Sequence, residues 1–344
     1  MKYTTEAALN IYTKMVIVMR VDEIYETKQE ELSRFNIYGV IATDRPIIKN
    51  IEIDGEGGLH IEIIQAKHKY KFCYNMEEFT DDFKDKTRYS FNENTLKIKY
   101  TDSDIKHAKL NNFLNHNIYL NAFTVKKTKL EPEGEEKSVV YNSVDHLLFN
   151  YAKQKKVKLD FELLYIGQSS RIDQRLKGHE TIQKIQADYM RNHPDKVLYI
   201  ILFEIEPQIF MGMDGTVKNI SVSETDDVNH LLNIVDDISS PAPMKQIINI
   251  CEAALIYHMK PVYNDLLKTN FPNVKGKSYQ HYFNLDYCEF IFEFKNGLPH
   301  HCDFPIINLR TEKNVLSNTF SLGDIVYSLH KDKNRKKSIF EIFK

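Results

Sequence analysis

Residues 164–179, LYIGQSSRIDQRLKGH, gather side chains able to work on a phosphate. The apolar run ending in Tyr165-Ile166-Gly167 reads as a strand, and its glycine permits a sharp exit. A helix is expected from about 171 to 190, which puts Arg175 and His179 four residues apart on one face. An arginine near a helix start, beside a tyrosine at a strand end, suits a phosphodiester, because the guanidinium fork is planar, permanently charged and matched to phosphate oxygens. Taken singly, each residue has a plainer use: a strand followed by a turn, and a solvated helix face. Their order and spacing together raise the chemical reading.

The segment resembles the GIY-YIG nucleases, a family of homing endonucleases, repair nicking enzymes and certain restriction enzymes. In that family an arginine follows the Tyr-Ile-Gly tyrosine by ten residues, often with a histidine or tyrosine four further on; Tyr165, Arg175 and His179 match both spacings. The family then places a glutamate on a later helix and an asparagine shortly after it. Cys251-Glu252-Ala253-Ala254-Leu255-Ile256, followed by Lys260-Pro261-Val262-Tyr263-Asn264, resembles that pattern, with Glu252 and Asn264 in those places. The family's first half-motif, Gly-Ile-Tyr, belongs one strand before Tyr-Ile-Gly. No such triplet occurs, and Val139-Val140-Tyr141 takes its place, with Tyr141 as the tyrosine and Tyr151 as second choice.

The resemblance spans residues 138–264 and implies a three-stranded sheet flanked by helices that hydrolyses nucleic acid, DNA above all. It implies one Mg²⁺ or Mn²⁺ on Glu252, since magnesium commonly takes one or two carboxylates and keeps several waters. Arg175 then neutralises the scissile phosphate, and Tyr141 or Tyr165 positions or deprotonates the nucleophile. A phenol with an ordinary pKa near 10 needs nearby cations to act as a base. His179 is the other candidate base, or orients the phenol or phosphate. Gly167, Lys177, Lys184 and Asn264 are expected at the nucleic acid. Restriction or antiviral defence is the expected setting. A double-strand cut by such a site calls for two copies, hence a homodimer or target-induced assembly. The alternative is a protein that keeps the fold and binds without cutting.

The elements that must position these residues read as α+β. Residues 1–136 are strand-rich, with IYGVIAT, IIKNIEI, LHIEIIQ, KYKFCYN and TLKIKYT separated by turn signals, and end in the polar run 130–136. Residues 137–275 read β, α, β, α, β, α, with an acidic insertion at about 207–242. Residues 276–344 return to β character around a turn at Asn296-Gly297 and close on the basic run HKDKNRKK.

Composition excludes some classes. The longest apolar runs are too short to span a bilayer, no signal-peptide pattern opens the chain, and four scattered cysteines fit a reducing compartment, so the cytoplasm is expected. Net charge is −2, so a basic surface has to be local. Residues 137–199 carry eleven Lys and Arg against seven Asp and Glu, whereas residues 203–243 carry one against eight. The first stretch suits a polyanion and the second does not. Cys288, His300, His301 and Cys302 invite a zinc reading, but adjacent His-His-Cys poorly surrounds one tetrahedral centre, and Cys288 reads as a packed thiol.

Overall fold

Ile37–Asp44 is apolar on both faces of a strand, and both faces are buried until its last two residues, as a central strand requires. The computed structural model describes residues 3–21, 24, 32–54, 58–75, 89–100, 138–169, 171–178, 180–213, 222–239, 244–271, 280–294, 306–318 and 325–329. Within these, the strands are β1 (Thr5–Arg20), β2 (Ile37–Asp44), β3 (Pro46–Ile53), β4 (Gly58–Gln65), β5 (His68–Asn75), β6 (Tyr89–Phe91), β7 (Thr95–Tyr100), β8 (Ser138–Ser143), β9 (Lys158–Gln168), β10 (Lys196–Met213), β11 (Glu289–Glu293), β12 (Ile306–Arg310), β13 (Val315–Ser317) and β14 (Ile325–Ser328). The helices are α1 (Val144–Lys155), α2 (Ile172–Lys177), α3 (Glu180–Asn192), α4 (Glu224–Ser239), α5 (Met244–Met259) and α6 (Gln280–Asn284).

The protein is mixed α+β, built on a large sheet of order β13-β12-β9-β2-β10-β1-β11-β14, with two smaller sheets, β3-β4-β5 and β6-β7-β8. The boundaries expected near 136 and 275 do not divide the large sheet, which takes β1 and β2 from the first stretch, β9 and β10 from the second and β11 to β14 from the third. Hydrophobic patterning marks strands but not their partners, so strands distant in sequence joined one sheet unannounced.

β2 lies between β9 and β10, antiparallel to both. Its alternate residues serve two cores. Ile37 and Ile41 pack with Leu163, Ile166 and the apolar residues of α1 and α5, whereas Tyr38, Val40 and Ala42 pack with Leu164, Ile172, Leu176, Ile182 and Ile185, the last four from α2 and α3. Helices therefore cover both faces. The helix expected over 171–190 is two, α2 and α3, separated around Gly178, where the chain leaves helical dihedrals.

Candidate active site

The pairing of β2 with β9 brings distant residues together. Tyr38 lies opposite Gly167, and Val40 opposite Tyr165. Between Val40 and Ile41 the register shifts, because β9 carries one extra residue. Leu164 and Tyr165 consequently both face the α2–α3 side, with Ile166 on the other. A bulge re-aims side chains in this way. Here it turns Tyr165 toward Tyr38, with ring centroids 6.1 Å apart.

Gly167 makes that approach sterically feasible. A Cβ at this position would lie 2.6 Å from Cζ and Oη of Tyr38 and 2.9 Å from Cε1 of Tyr165, well inside van der Waals contact. Gly167→Ala is therefore expected to displace the Tyr38 ring or push β9 away from β2, at a cost of roughly 1–3 kcal/mol. Urea unfolding reads that cost, and an unchanged midpoint would show that the tyrosines can yield.

The Tyr38 hydroxyl is enclosed, and its polar neighbours are the Arg175 guanidinium and the Tyr165 phenol. Burial pushes the Tyr38 phenol far above its ordinary range, Tyr165 reinforces this, and Arg175 opposes it. Tyr165 is also raised, chiefly by burial; Tyr38 and Arg175 pull it down, and the Glu252 charge pushes it up. Two phenols, one guanidinium and one carboxylate thus influence one another across three separate parts of the chain. Arg175 sits in α2, exposed, its N–H bonded to the Arg171 carbonyl at 3.0 Å.

Glu252 comes from α5, which packs on β9. Burial raises its carboxyl to about 7, against a hydrogen bond from Gln168 and the charge of Arg175. Gln168 also donates to Asn249 Oδ1 at 2.6 Å. Asn249 and Glu252 are three apart on one helix face, so the amide ending β9 ties that strand to the face carrying the carboxylate. Cys251 faces the core instead, with its thiol pushed up by burial.

Asn264, expected at the nucleic acid, is spent elsewhere. Its Oδ1 accepts from the Ile166 N–H at 2.9 Å, and its Nδ2 donates to the Ile166 carbonyl at 2.8 Å. Tyr263 N–H bonds the Leu164 carbonyl at 3.0 Å. β12 pairs with β9 only as far as Glu162, so residues 263–264 take over the edge of β9 where β12 stops. The asparagine acts as a strand clamp.

Tyr141 lies opposite Lys97 in β8, within the small β6-β7-β8 sheet, and the place beside Tyr-Ile-Gly belongs to Tyr38. Tyr151, the second choice, packs against Tyr70 and Phe72. Sequence reasoning missed Tyr38, although Asn36-Ile37-Tyr38 carries its trace: two letters of the expected triplet, with asparagine in the glycine place. Lys184 is exposed on α3. His179 and the Lys177 side chain lie outside the described residues, as do His300, His301 and Cys302. Cys288 is buried beside Ala8 and Ile291, a packed thiol.

Part of the acidic insertion is regular structure, since β10 continues to Met213 and α4 occupies Glu224–Ser239. Among the described residues no helix is long and apolar enough to cross a membrane. Compared with protein-family models, curated proteins and solved structures, the chain shows no match in any of the three.

Proposed function

We propose that this chain is a metal-dependent endonuclease of the GIY-YIG kind, hydrolysing phosphodiester bonds of nucleic acid, DNA foremost. The observation that carries the reading is the convergence of Tyr38, Tyr165, Arg175 and Glu252, drawn from β2, β9, α2 and α5. In support, β9-β2-β10 forms an antiparallel trio with helices on both faces, the arrangement that the resemblance implies. Tyr38 supplies the tyrosine of the first half-motif in this reading.

The donors present, a carboxylate and two phenols beside an amide, are all hard oxygens and suit Mg²⁺ or Mn²⁺ better than a softer ion. When bound, such an ion withdraws charge from the phosphate and acidifies its own water. Glu252 is the residue that would hold it. Arg175, exposed beside the phenols, meets the developing equatorial charge of the scissile phosphate. Tyr38, enclosed and facing Tyr165, supports Tyr165 as the phenol with the lower affinity for its proton, and so as the group nearer to basic action. Sequence inserted between the paired strands gives room for target recognition, as restriction or antiviral defence needs; a homodimer or target-induced assembly would supply a second cut.

The alternative is a binding protein that keeps the fold and no longer cuts. The test is incubation of wild type and Glu252→Gln with plasmid, single-stranded DNA and RNA in Mg²⁺ or Mn²⁺ across pH 5.5–8.5, a range set about the Glu252 titration. Cleavage by wild type is expected to fall as pH drops through about 7, since protonation of Glu252 competes with the cation. Glu252→Gln is expected to lose on the order of 10²-fold or more at every pH. Folding moves oppositely. A carboxyl raised from 4.5 to about 7 binds its proton more tightly when folded, so its contribution is present below 4.5 and is lost as pH rises to about 7. Equal cleavage by both proteins would assign the activity elsewhere, and no cleavage by either favours the binding protein.

A further inference from the structure

We infer that the outer face of the β3-β4-β5 sheet is a site for a zinc-class cation, held by Asp54, His60 and Cys73. This site is separate from Glu252 and does not depend on the nuclease reading. One oxygen, one nitrogen and one sulfur donor lie within 4.8 Å of one another. His60 Nε2 is 2.8 Å from Asp54 Oδ2 and 3.9 Å from Cys73 Sγ. Tetrahedral zinc at its usual bond lengths separates such ligand atoms by roughly 3.3–3.7 Å. The His60–Asp54 and His60–Cys73 separations bracket that range, and side-chain rotation at these exposed positions can bring the donors to it.

The sheet holds these donors in place. His60 and Cys73 are direct cross-strand partners in β4 and β5, so the ladder sets their separation. The alternating residues Leu59, Ile61 and Phe72 anchor the opposite face in the core. Asp54 opens the β3–β4 connection and is fixed twice: its N–H bonds the Gly58 carbonyl at 3.0 Å, and its Oδ1 accepts from the Gly58 N–H at 2.7 Å. That leaves Oδ2 directed at the imidazole. The Gly58 N–H on Oδ1 is the kind of outer-shell support that orients a ligating carboxylate.

Glu52, which pairs with His60 across β3 and β4, brings a further carboxylate to an open groove that His60 and Cys73 also line; Lys71 lines it too, its ammonium 3.2 Å from a Glu62 carboxylate oxygen. Asp54 and His60 are 37% and 53% exposed in their side chains, so an ion can enter and a water or Glu52 can fill the fourth position. Binding forms the metal–sulfur bond and releases the thiol proton to solvent. The mixed S, N, O donor set selects zinc over magnesium.

Titration of the full chain with Co²⁺, a spectroscopic stand-in for Zn²⁺, tests the site. A thiolate-to-cobalt charge-transfer band in the near ultraviolet is expected to saturate and to be displaced by Zn²⁺. Cys73→Ser should abolish the band, His60→Ala should raise the Co²⁺ concentration that half-saturates it at least about tenfold, and Glu252→Gln should leave the band and its half-saturation unchanged. Far-ultraviolet circular dichroism of each variant guards against unfolding. No band in wild type, or a band that survives Cys73→Ser, overturns the inference.

Discussion

Tyr38→Phe is expected to lower nucleic-acid cleavage by on the order of 10²–10³-fold, the scale of losing one preorganised hydrogen-bonding group at a reacting centre. The substitution keeps the ring that packs in the β2 core and removes only the hydroxyl facing Arg175 and Tyr165. Stability should change by about 1 kcal/mol at most, the net worth of one hydrogen bond. Tyr141→Phe, in the small sheet, should leave cleavage near the wild-type rate. Single-turnover rates of the two variants at saturating Mg²⁺ and pH 8 separate the assignments. A fast Tyr38→Phe with a slow Tyr141→Phe would return the first half-motif to β8 and undo the site described above.

Asn264→Ala is expected to destabilise the protein by roughly 2–4 kcal/mol, because it removes two hydrogen bonds and leaves the Ile166 N–H and carbonyl without their partner. The residue is only 7% exposed, so water would have to enter to satisfy them. The damage falls on the strand that carries Tyr165 and Gly167, so cleavage should drop together with stability. Asn264→Asp keeps an acceptor for the Ile166 N–H but loses the donor and buries a charge; it should do no better at neutral pH. Urea midpoints with unchanged slope provide the measurement. A loss under about 0.5 kcal/mol would mean that residues 263–264 merely rest on the β9 edge.

Much of the candidate site was legible because its signals are local or sit on regular elements. Tyr165 and Arg175 are joined by one turn, so ten residues of spacing bring a strand end and a helix start together without long-range knowledge. Glu252 stood out on a helix as the one carboxylate inside the apolar, mostly buried run from Ile250 to Ile256. The clamp role of Asn264 was not legible: an amide after Lys260-Pro261 reads equally as a nucleic-acid contact, and only the free edge of β9 gives it another use.

The strand content, the α+β class and the cluster Tyr165, Arg175 and Glu252 followed from the sequence alone, because side-chain periodicity and short spacing are local properties. The first tyrosine did not. Tyr38 is 127 residues before Tyr165, and a strand seeks its partner by matching faces and edges, which leave no mark of which distant strand will answer. Long insertions cost little closure entropy, so chain distance between half-motifs is a weak guide. The bulge at Val40/Ile41, the glycine that admits the Tyr38 ring, and the joining of all three stretches in one sheet were likewise decided by tertiary pairing. Pairing also set the cross-strand match of His60 with Cys73, residues whose spacing in the chain suggested no site.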